Sequence, residues 1–344
     1  MTDLLSHIPK DKQWLAHNRI KDFGVDKKLN FFCQQPFSGC SIDRFGSVFV
    51  CTCDGTLPVS VGHIMDFDAL EQIWENSIAK ALQETILDGS FSYCDVKMCG
   101  ILHGNNMSAN EYFNKQKKHK KEIFLNIDES CNLQCPSCRD GLIYIKHGQD
   151  YNNKKIWIEH FHNMLKNYSG ALNLYTSGNG DPFASEIYQE FLHTCQLKSN
   201  QRFNFLTNGL LLKQRMSDNP YLIENTKNVM ISIDAGSKDV YEDVRRPGKW
   251  SRLIENLDYL HTLTQANKIH CQLNFVIQRA NYRDIPNFIQ LAENYGFATD
   301  LVLLEDWRTL GGEFYQKNAV HLTSHPEYND WLKIYEQYQE YIDR

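Results

Sequence analysis

No run of apolar residues reaches the ~18–20 that a helix needs to cross a bilayer, which argues against a membrane span. A charged-then-apolar leader is also missing. The chain opens Met1-Thr2-Asp3-Leu4-Leu5, which does not read as a secretory signal. Positive charge is not in excess either. With 36 basic against 42 acidic residues and a net charge of −6, the chain lacks a broad cationic surface for a nucleic-acid backbone. A tRNA or rRNA substrate is therefore not expected. Repeats and low-complexity tracts are absent. What remains is ordinary globular composition, 42% hydrophobic and 23% charged. The expectation is a cytoplasmic protein with neither a membrane nor a nucleic-acid partner. Its 344 residues suffice for about two domains, or for one large α/β barrel.

Cysteine is what the chain has in quantity. There are 11, an odd number that suits a disulfide framework poorly and favours metal or redox chemistry. Six lie between positions 33 and 99, three fall within 131–138, and only Cys195 and Cys271 stand alone.

Residues 1–114 are rich in cysteine and turns. Ser41–Arg44 and Val48–Val50 flank Gly46 and predict a hairpin. Leu70, Ile73, Trp74, Ile78, Leu82 and Ile86 predict one helix from about Asp68 to Leu87. The basic stretch 115–121 reads as a solvated linker, with a patch for an acidic partner as the alternative. From 122 to 310, strand candidates alternate with helix candidates. The strands are Ile123–Ile127, Ala171–Tyr175, Arg202–Leu206, Val229–Ile233, Ile269–Val276 and Asp300–Leu304; the helices lie near 155–167, 184–197, 249–266 and 283–295. The class is α/β, with a parallel sheet, right-handed crossovers and chemistry at the C-terminal strand ends. Residues 311–344 form a C-terminal extension carrying a helix over about Pro326–Tyr341.

The sharpest motif is Cys131-Asn132-Leu133-Gln134-Cys135-Pro136-Ser137-Cys138, a CxxxCxxC directly after the first of these six strands. Three thiolates on one loop can ligate three irons of a [4Fe–4S] cluster and leave the fourth open to a small molecule. A zinc site completed by a distant residue is the alternative. The motif and its position resemble the radical S-adenosylmethionine (SAM) superfamily. That resemblance implies a partial (β/α)6 barrel, a cluster held by Cys131, Cys135 and Cys138, and SAM chelated to the open iron. It also implies reductive cleavage of SAM to methionine and a 5′-deoxyadenosyl radical. Ser137 departs from the family, which usually has an aromatic residue there, near adenine.

Further elements follow in the family's order. Ser177-Gly178-Asn179-Gly180-Asp181-Pro182 resembles the Gly-Gly-Glu-Pro element, with Asp181 in place of Glu; taken alone it would be an ordinary turn. By the resemblance Gly178, Gly180 and Asp181 serve the cofactor. Thr207-Asn208-Gly209 is similar to a recurrent family turn. Ile231-Ser232-Ile233-Asp234 is similar to the strand end whose Ser232 and Asp234 would meet SAM. Tyr241 and the pair Arg245–Arg246 come next; Arg245 is the candidate for the methionine carboxylate, a surface salt bridge being the plain alternative. Asn274, on a strand with polar residues at 272, 274 and 278, is a candidate for SAM or substrate.

The N-terminal cysteines also form a pattern. Cys33 and Cys51 frame Gly46 with twelve and four intervening residues. Val61-Gly62-His63-Ile64, Ile73-Trp74-Glu75-Asn76, Gly89-Ser90-Phe91-Ser92-Tyr93-Cys94 and Cys99 follow. This resembles the SPASM/twitch domain of radical SAM maturases, here placed before the barrel instead of after it. The resemblance implies a second, auxiliary [4Fe–4S] cluster on Cys33, Cys51, Cys94 and Cys99, with Cys40 and Cys53 left over; a zinc-ribbon-like site is the alternative.

The expected function is hydrogen-atom abstraction from a substrate C–H bond. The favoured substrate is a peptide undergoing oxidation or crosslinking, with electron return through the auxiliary cluster. No winged-helix-like segment for capturing a leader peptide is evident, and no cobalamin domain. A sugar or amino-acid-like small molecule, epimerised or dehydrogenated, is the second reading. A non-enzymatic iron–sulfur or zinc protein is the third. Radical chemistry would need an external one-electron donor such as flavodoxin or ferredoxin. Redox-neutral chemistry would need a hydrogen donor, for which Cys195 and Cys271 are the candidate thiols.

Overall fold

The computed structural model describes residues 32–51, 57, 59–94, 99, 120–176, 179–266, 268–306 and 310–342. Gly178 and Cys53 lie outside them, as do residues 115–119 of the basic stretch. The chain divides into two compact units. The first takes the described residues up to Asp128, with His147–Asn179 and Thr194–Arg202; the second takes Glu129–Lys146, Gly180–His193 and everything from Phe203.

In the first unit a short helix α1 (Gln35–Ser38) leads into β1 (Gly39–Ile42). Gly46, with φ +77, turns the chain into β2 (Ser47–Phe49), forming the expected antiparallel hairpin. β2 pairs with β3 (Gly62–His63). On its other side β1 pairs in parallel with β4 (Lys121–Leu125), and β4 with β5 (Leu172–Thr176), giving the order β3-β2-β1-β4-β5. The single helix expected over 68–87 is in fact two, α2 (Gln72–Glu75) and α3 (Ser77–Leu87). Asn76 is the reason. Its backbone is extended and its side chain caps Ile78 and Ala79, so the asparagine ends one helix and starts the next. Lys121 opens β4, donates to the Phe37 carbonyl at 2.7 Å and lies 4.0 Å from the Trp74 ring centroid. Between β4 and β5 runs α4 (Gly148–Asn167), whose buried Lys154 donates to the carbonyls of Arg44 and Ile127.

The second unit continues the β–α alternation. It comprises α5 (Glu186–Thr194), β6 (Gln201–Thr207, which begins in the first unit), α6 (Leu212–Asp218), α7 (Pro220–Asn225) and β7 (Thr226–Ser232). There follow α8 (Lys238–Val244), α9 (Trp250–Gln265), β8 (His270–Ile277), α10 (Ile285–Tyr295), β9 (Ala298–Leu303), α11 (Gly312–Asn318) and α12 (Tyr328–Ile342). The ladders β6–β7, β7–β8 and β8–β9 are all parallel. Strand alternation sorts the two faces. Phe205, Val229, Cys271, Leu273, Phe275 and Leu301 are buried, whereas Asn228, Ser232, Gln272 and Asn274 are only half-buried. α10 starts with Pro286 in its first turn and ends at Gly296 in the left-handed region, the usual punctuation of a helix. The α/β class with parallel ladders is thus what the chain forms, and the six strands expected from 122 onward are present. No helix among the described residues is long and apolar enough to cross a membrane.

Glu327 ties the C-terminal helix down. Its carboxylate meets Arg279 at 2.6 Å, Arg283 at 2.9 Å and the Tyr282 hydroxyl at 3.0 Å. The hydrogen bond from Arg279, then those from Tyr282 and Arg283, overcome partial burial and pull its pKa from 4.5 to about 2. A depressed carboxylate contributes stability above its unfolded pKa and loses it as pH falls through the folded one. Amide exchange over Tyr328–Ile342 should therefore accelerate as pH drops from about 4.5 toward 2, after correction for intrinsic exchange. Glu327→Gln should show the faster exchange already at pH 7; equal protection in both proteins would refute this role.

Candidate active site

The cysteine loop follows β4 and belongs to the second unit. It is clamped along its length. Cys131 N–H donates to the Ile143 carbonyl at 2.8 Å, and Ile145 N–H to the Ser130 hydroxyl at 2.9 Å, so the loop closes on itself. Gln134 N–H donates to the Arg246 carbonyl at 2.7 Å. Around Pro136, Cys138 N–H and Arg139 N–H both reach the Cys135 carbonyl, a tight turn that spaces the last two thiols.

Asp181 holds this loop to the β6 turn. Its backbone N–H donates to the Ser130 carbonyl at 2.8 Å. Its carboxylate, 2% exposed, accepts from the Thr207 hydroxyl and Asn208 N–H, each at 2.7 Å, and from Phe183 N–H at 3.0 Å. Burial pushes its pKa up, and these donors oppose that shift. Asn208 then extends its amide to Asn132 at 2.8 Å and to the Cys131 sulfur at 3.8 Å. Gly209 completes the turn at φ +80, where a Cβ would lie 2.9 Å from the Ile231 side chain.

The end of β7 supplies the charged wall. Asp234 sits in the left-handed region, φ 53. Its Oδ1 accepts from Val276 N–H at 2.8 Å, and its Oδ2 pairs with Arg245 Nη2 at 2.6 Å. Both carboxylate oxygens expected to meet SAM thus have protein partners. Asp284 holds the next turn by accepting from Gly236 and Ser237 N–H at 2.6 and 2.9 Å. A Cβ on Gly236 would strike the α10 backbone at Phe288, so only glycine fits there.

Every thiol of the motif meets a nitrogen donor. Cys131 faces Leu133 N–H at 3.4 Å as well as Asn208; Cys135 faces Arg245 Nη1 at 3.8 Å; Cys138 faces Arg139 Nε at 3.4 Å. As bare thiols Cys131 and Cys135 are driven toward the neutral form by burial, Cys131 to about 11. Arg245 Nε and the Tyr241 hydroxyl are buried with no hydrogen-bond partner among the described residues. Orphaned donors cost free energy unless a group fills the space beside them. Three thiols ringed by donors, with unpartnered polar atoms alongside, fit a sulfide-rich cluster. A cluster spreads its thiolates over separate irons, whereas a zinc ion draws them to one point.

Of the remaining expected residues, Gly180 adjoins Asp181. Ser232 and Asn274 are neighbours in the β7–β8 register, and Asn274 accepts from Gln272 at 2.9 Å. Ser137 is met by the buried Gln278 at 3.4 Å. Arg246 is exposed and paired with Asp243, the surface alternative. Cys271 lies on the buried side of β8, opposite Asn274, and Cys195 is fully buried in the first unit. Burial raises the pKa of both, Cys195 to about 12. His325 serves as a cap, bonding the Lys317 carbonyl and Glu327 N–H. In the first unit Cys33 and Cys94 pack against the same Phe32/Ile86/Phe91 cluster. Burial, with the charges of Cys51 and Cys99 nearby, lifts Cys33 to about 12. Cys40 is apart from them, buried in β1 opposite Ile123. Sequence reasoning missed Arg139 and Asp284; the only signal for Arg139 was its place next to Cys138.

With this geometry established, residues 125–292 match the family model of the Radical SAM superfamily. This part of the chain is a radical SAM domain, a family whose cofactors are a [4Fe–4S] cluster and SAM. Among curated relatives, molybdenum cofactor biosynthesis protein 1 of Drosophila melanogaster is 21% identical over 224 residues, covering 64% of this chain and 36% of that protein. A probable GTP 3′,8-cyclase of Saccharolobus islandicus is 23% identical over 179 residues, covering 51% and 54%. The chain thus spans between about a third and about half the length of these relatives. Among solved structures, Streptococcus suis SuiB bound to precursor peptide SuiA aligns with a TM-score of 0.43 at 14% identity, over 76% of this chain and 60% of that one. anSMEcpe with bound AdoMet aligns at 0.37 and 18%, over 54% and 51%.

Removing the Asp181 carboxylate strands three buried donors, so Asp181→Ala should lower stability by about 3 kcal/mol in denaturant titration. Thr207→Val, which loses one of these hydrogen bonds, should cost about 1 kcal/mol. Equal and small effects would show that the bridge does not hold the loop.

Proposed function

We propose that the chain is a radical SAM enzyme that acts on a substrate C–H bond, with Cys131, Cys135 and Cys138 as the ligands of its SAM-binding cluster. The carrying observation is the thiol loop with a nitrogen donor at every sulfur, inside a radical SAM domain. Cys131, Cys135 and Cys138 would hold the cluster, which with SAM would supply one-electron reductive chemistry for hydrogen-atom abstraction from the substrate. The chain's own residues arrange this chemistry. Asp181 and Asn208 position the loop, Asp234 orients Arg245, and Ser232 and Asn274 offer hydrogen bonds from the half-buried strand face. By the family resemblance Gly178 and Gly180 belong to the glycine element that would serve the methionyl ammonium.

In this reading residues 1–114 form a SPASM/twitch-like domain with an auxiliary cluster on Cys33, Cys51, Cys94 and Cys99, residues 122–310 the partial barrel, and 311–344 an extension. The packing of Cys33 and Cys94 against the same Phe32/Ile86/Phe91 cluster supports that ligand set. An oxidoreductase that modifies a peptide, reduced by an external one-electron donor such as flavodoxin or ferredoxin and passing the electron of the product radical to the auxiliary cluster, fits two clusters best. The GTP 3′,8-cyclase relatives favour a second reading, radical chemistry on a polar small molecule.

Anaerobic reconstitution separates these parts. Wild type should bind about eight irons and the Cys131→Ala/Cys135→Ala/Cys138→Ala variant about four. Reduced wild type should release 5′-deoxyadenosine from SAM, and the variant none. Release of S-adenosylhomocysteine or methylthioadenosine would instead point to group transfer. No SAM turnover by fully loaded protein would overturn the proposal.

A further inference from the structure

Two of the donors at the thiol loop are charged. Arg139 Nε lies 3.4 Å from the Cys138 sulfur while its Nη1 is anchored on the Glu129 carbonyl at 2.9 Å. Arg245 Nη1 lies 3.8 Å from the Cys135 sulfur while its Nη2 is held by Asp234 at 2.6 Å. We infer that Arg139 and Arg245 set the reduction potential of the cluster bound by this loop, by holding guanidinium N–H groups against two of its three thiolates. The inference rests on the proposed ligand role of Cys131, Cys135 and Cys138.

The physics is that of a charge beside a redox centre. Reduction adds an electron to a group already carrying thiolates, and N–H donors and positive charge at the sulfurs stabilise the reduced form. Both guanidiniums are fixed from their far side, so their N–H groups stay aimed at sulfur without waiting for a ligand. Arg245 is the more deeply set, its side chain 12% exposed beside an Asp234 at 3%, where electrostatic effects are screened least. Asp234 offsets part of its charge but faces the other edge of the guanidinium, leaving Nη1 toward the thiol. Arg139 is half-buried, so its charge acts through a more solvated environment and is screened more. One amino group of Arg245 is held by the Asp234 carboxylate, and the other faces the Cys135 sulfur.

The test uses the anaerobically reconstituted full chain, with Arg139→Gln, Arg139→Lys and Arg245→Gln compared with wild type. Iron content is measured first, then the potential of the SAM-responsive EPR signal by redox titration. At fixed potential the reduced-to-oxidised ratio should fall about tenfold in each glutamine variant, a shift of 59 mV for one electron, with iron content unchanged. Arg139→Lys should recover most of that loss, since it keeps the charge but not the planar fork. Unchanged potentials in iron-loaded Arg139→Gln and Arg245→Gln would overturn the inference and leave the proposed function standing. If Arg245→Gln fails to take up iron, the half-exposed Arg139→Gln decides alone. A wild type with iron but no SAM-responsive signal would instead bring down the proposed function, and this inference with it.

Discussion

The buried carboxylate of Asp181 is the constraint on which the site depends. A loop carrying three thiols has no regular hydrogen bonding of its own to hold them apart, and a short irregular segment would collapse or fluctuate if left alone. Here one aspartate reaches the loop with its backbone and the β6 turn with its side chain. From that turn Asn208 continues to Asn132 and Cys131. The positions of the thiols are therefore inherited from a strand end in the sheet of the second unit. The orphaned atoms at Tyr241 and Arg245 then mark where the protein leaves polar groups waiting.

The second organising element is the ion pair between Asp234 and Arg245. Buried ion pairs contribute little net stability, because desolvation offsets their attraction. Its retention at the strand end, with Asp234 in a strained left-handed conformation, makes sense as orientation. Val276 N–H fixes the carboxylate, the carboxylate fixes the guanidinium, and the guanidinium faces Cys135. Strain and burial are concentrated beside the proposed cluster loop.

Much of this was legible in the residues themselves. Six apolar runs separated by helical periodicity were enough to find β4 through β9, because strand and helix periods differ and each run was short and flanked by turns. The helix at 68–87 was misjudged because Asn76 keeps the apolar spacing intact while its side chain caps the following turn. The thiol loop, Asp181 and Arg245 stood out by composition and order. Their partners did not, since Arg139 looks like any surface arginine and Asp284 like any helix-start acid until the fold brings them to Cys138 and Gly236. Asp234, expected to meet SAM, has both carboxylate oxygens on protein partners, because its left-handed backbone turns Oδ1 onto Val276 N–H. A sequence pattern names residue types; the direction of a side chain depends on contacts from other segments, as Asp234 illustrates with Arg245, 11 residues on, and Val276, 42 residues on.

Three thiolates of one loop are proposed to hold a cluster whose fourth iron has no protein ligand. Mössbauer spectroscopy of iron-labelled protein carrying only this cluster, with and without SAM, distinguishes that iron from the other three. SAM should make about a quarter of the cluster's iron spectroscopically distinct. Four irons that stay indistinguishable at saturating SAM would rule this arrangement out.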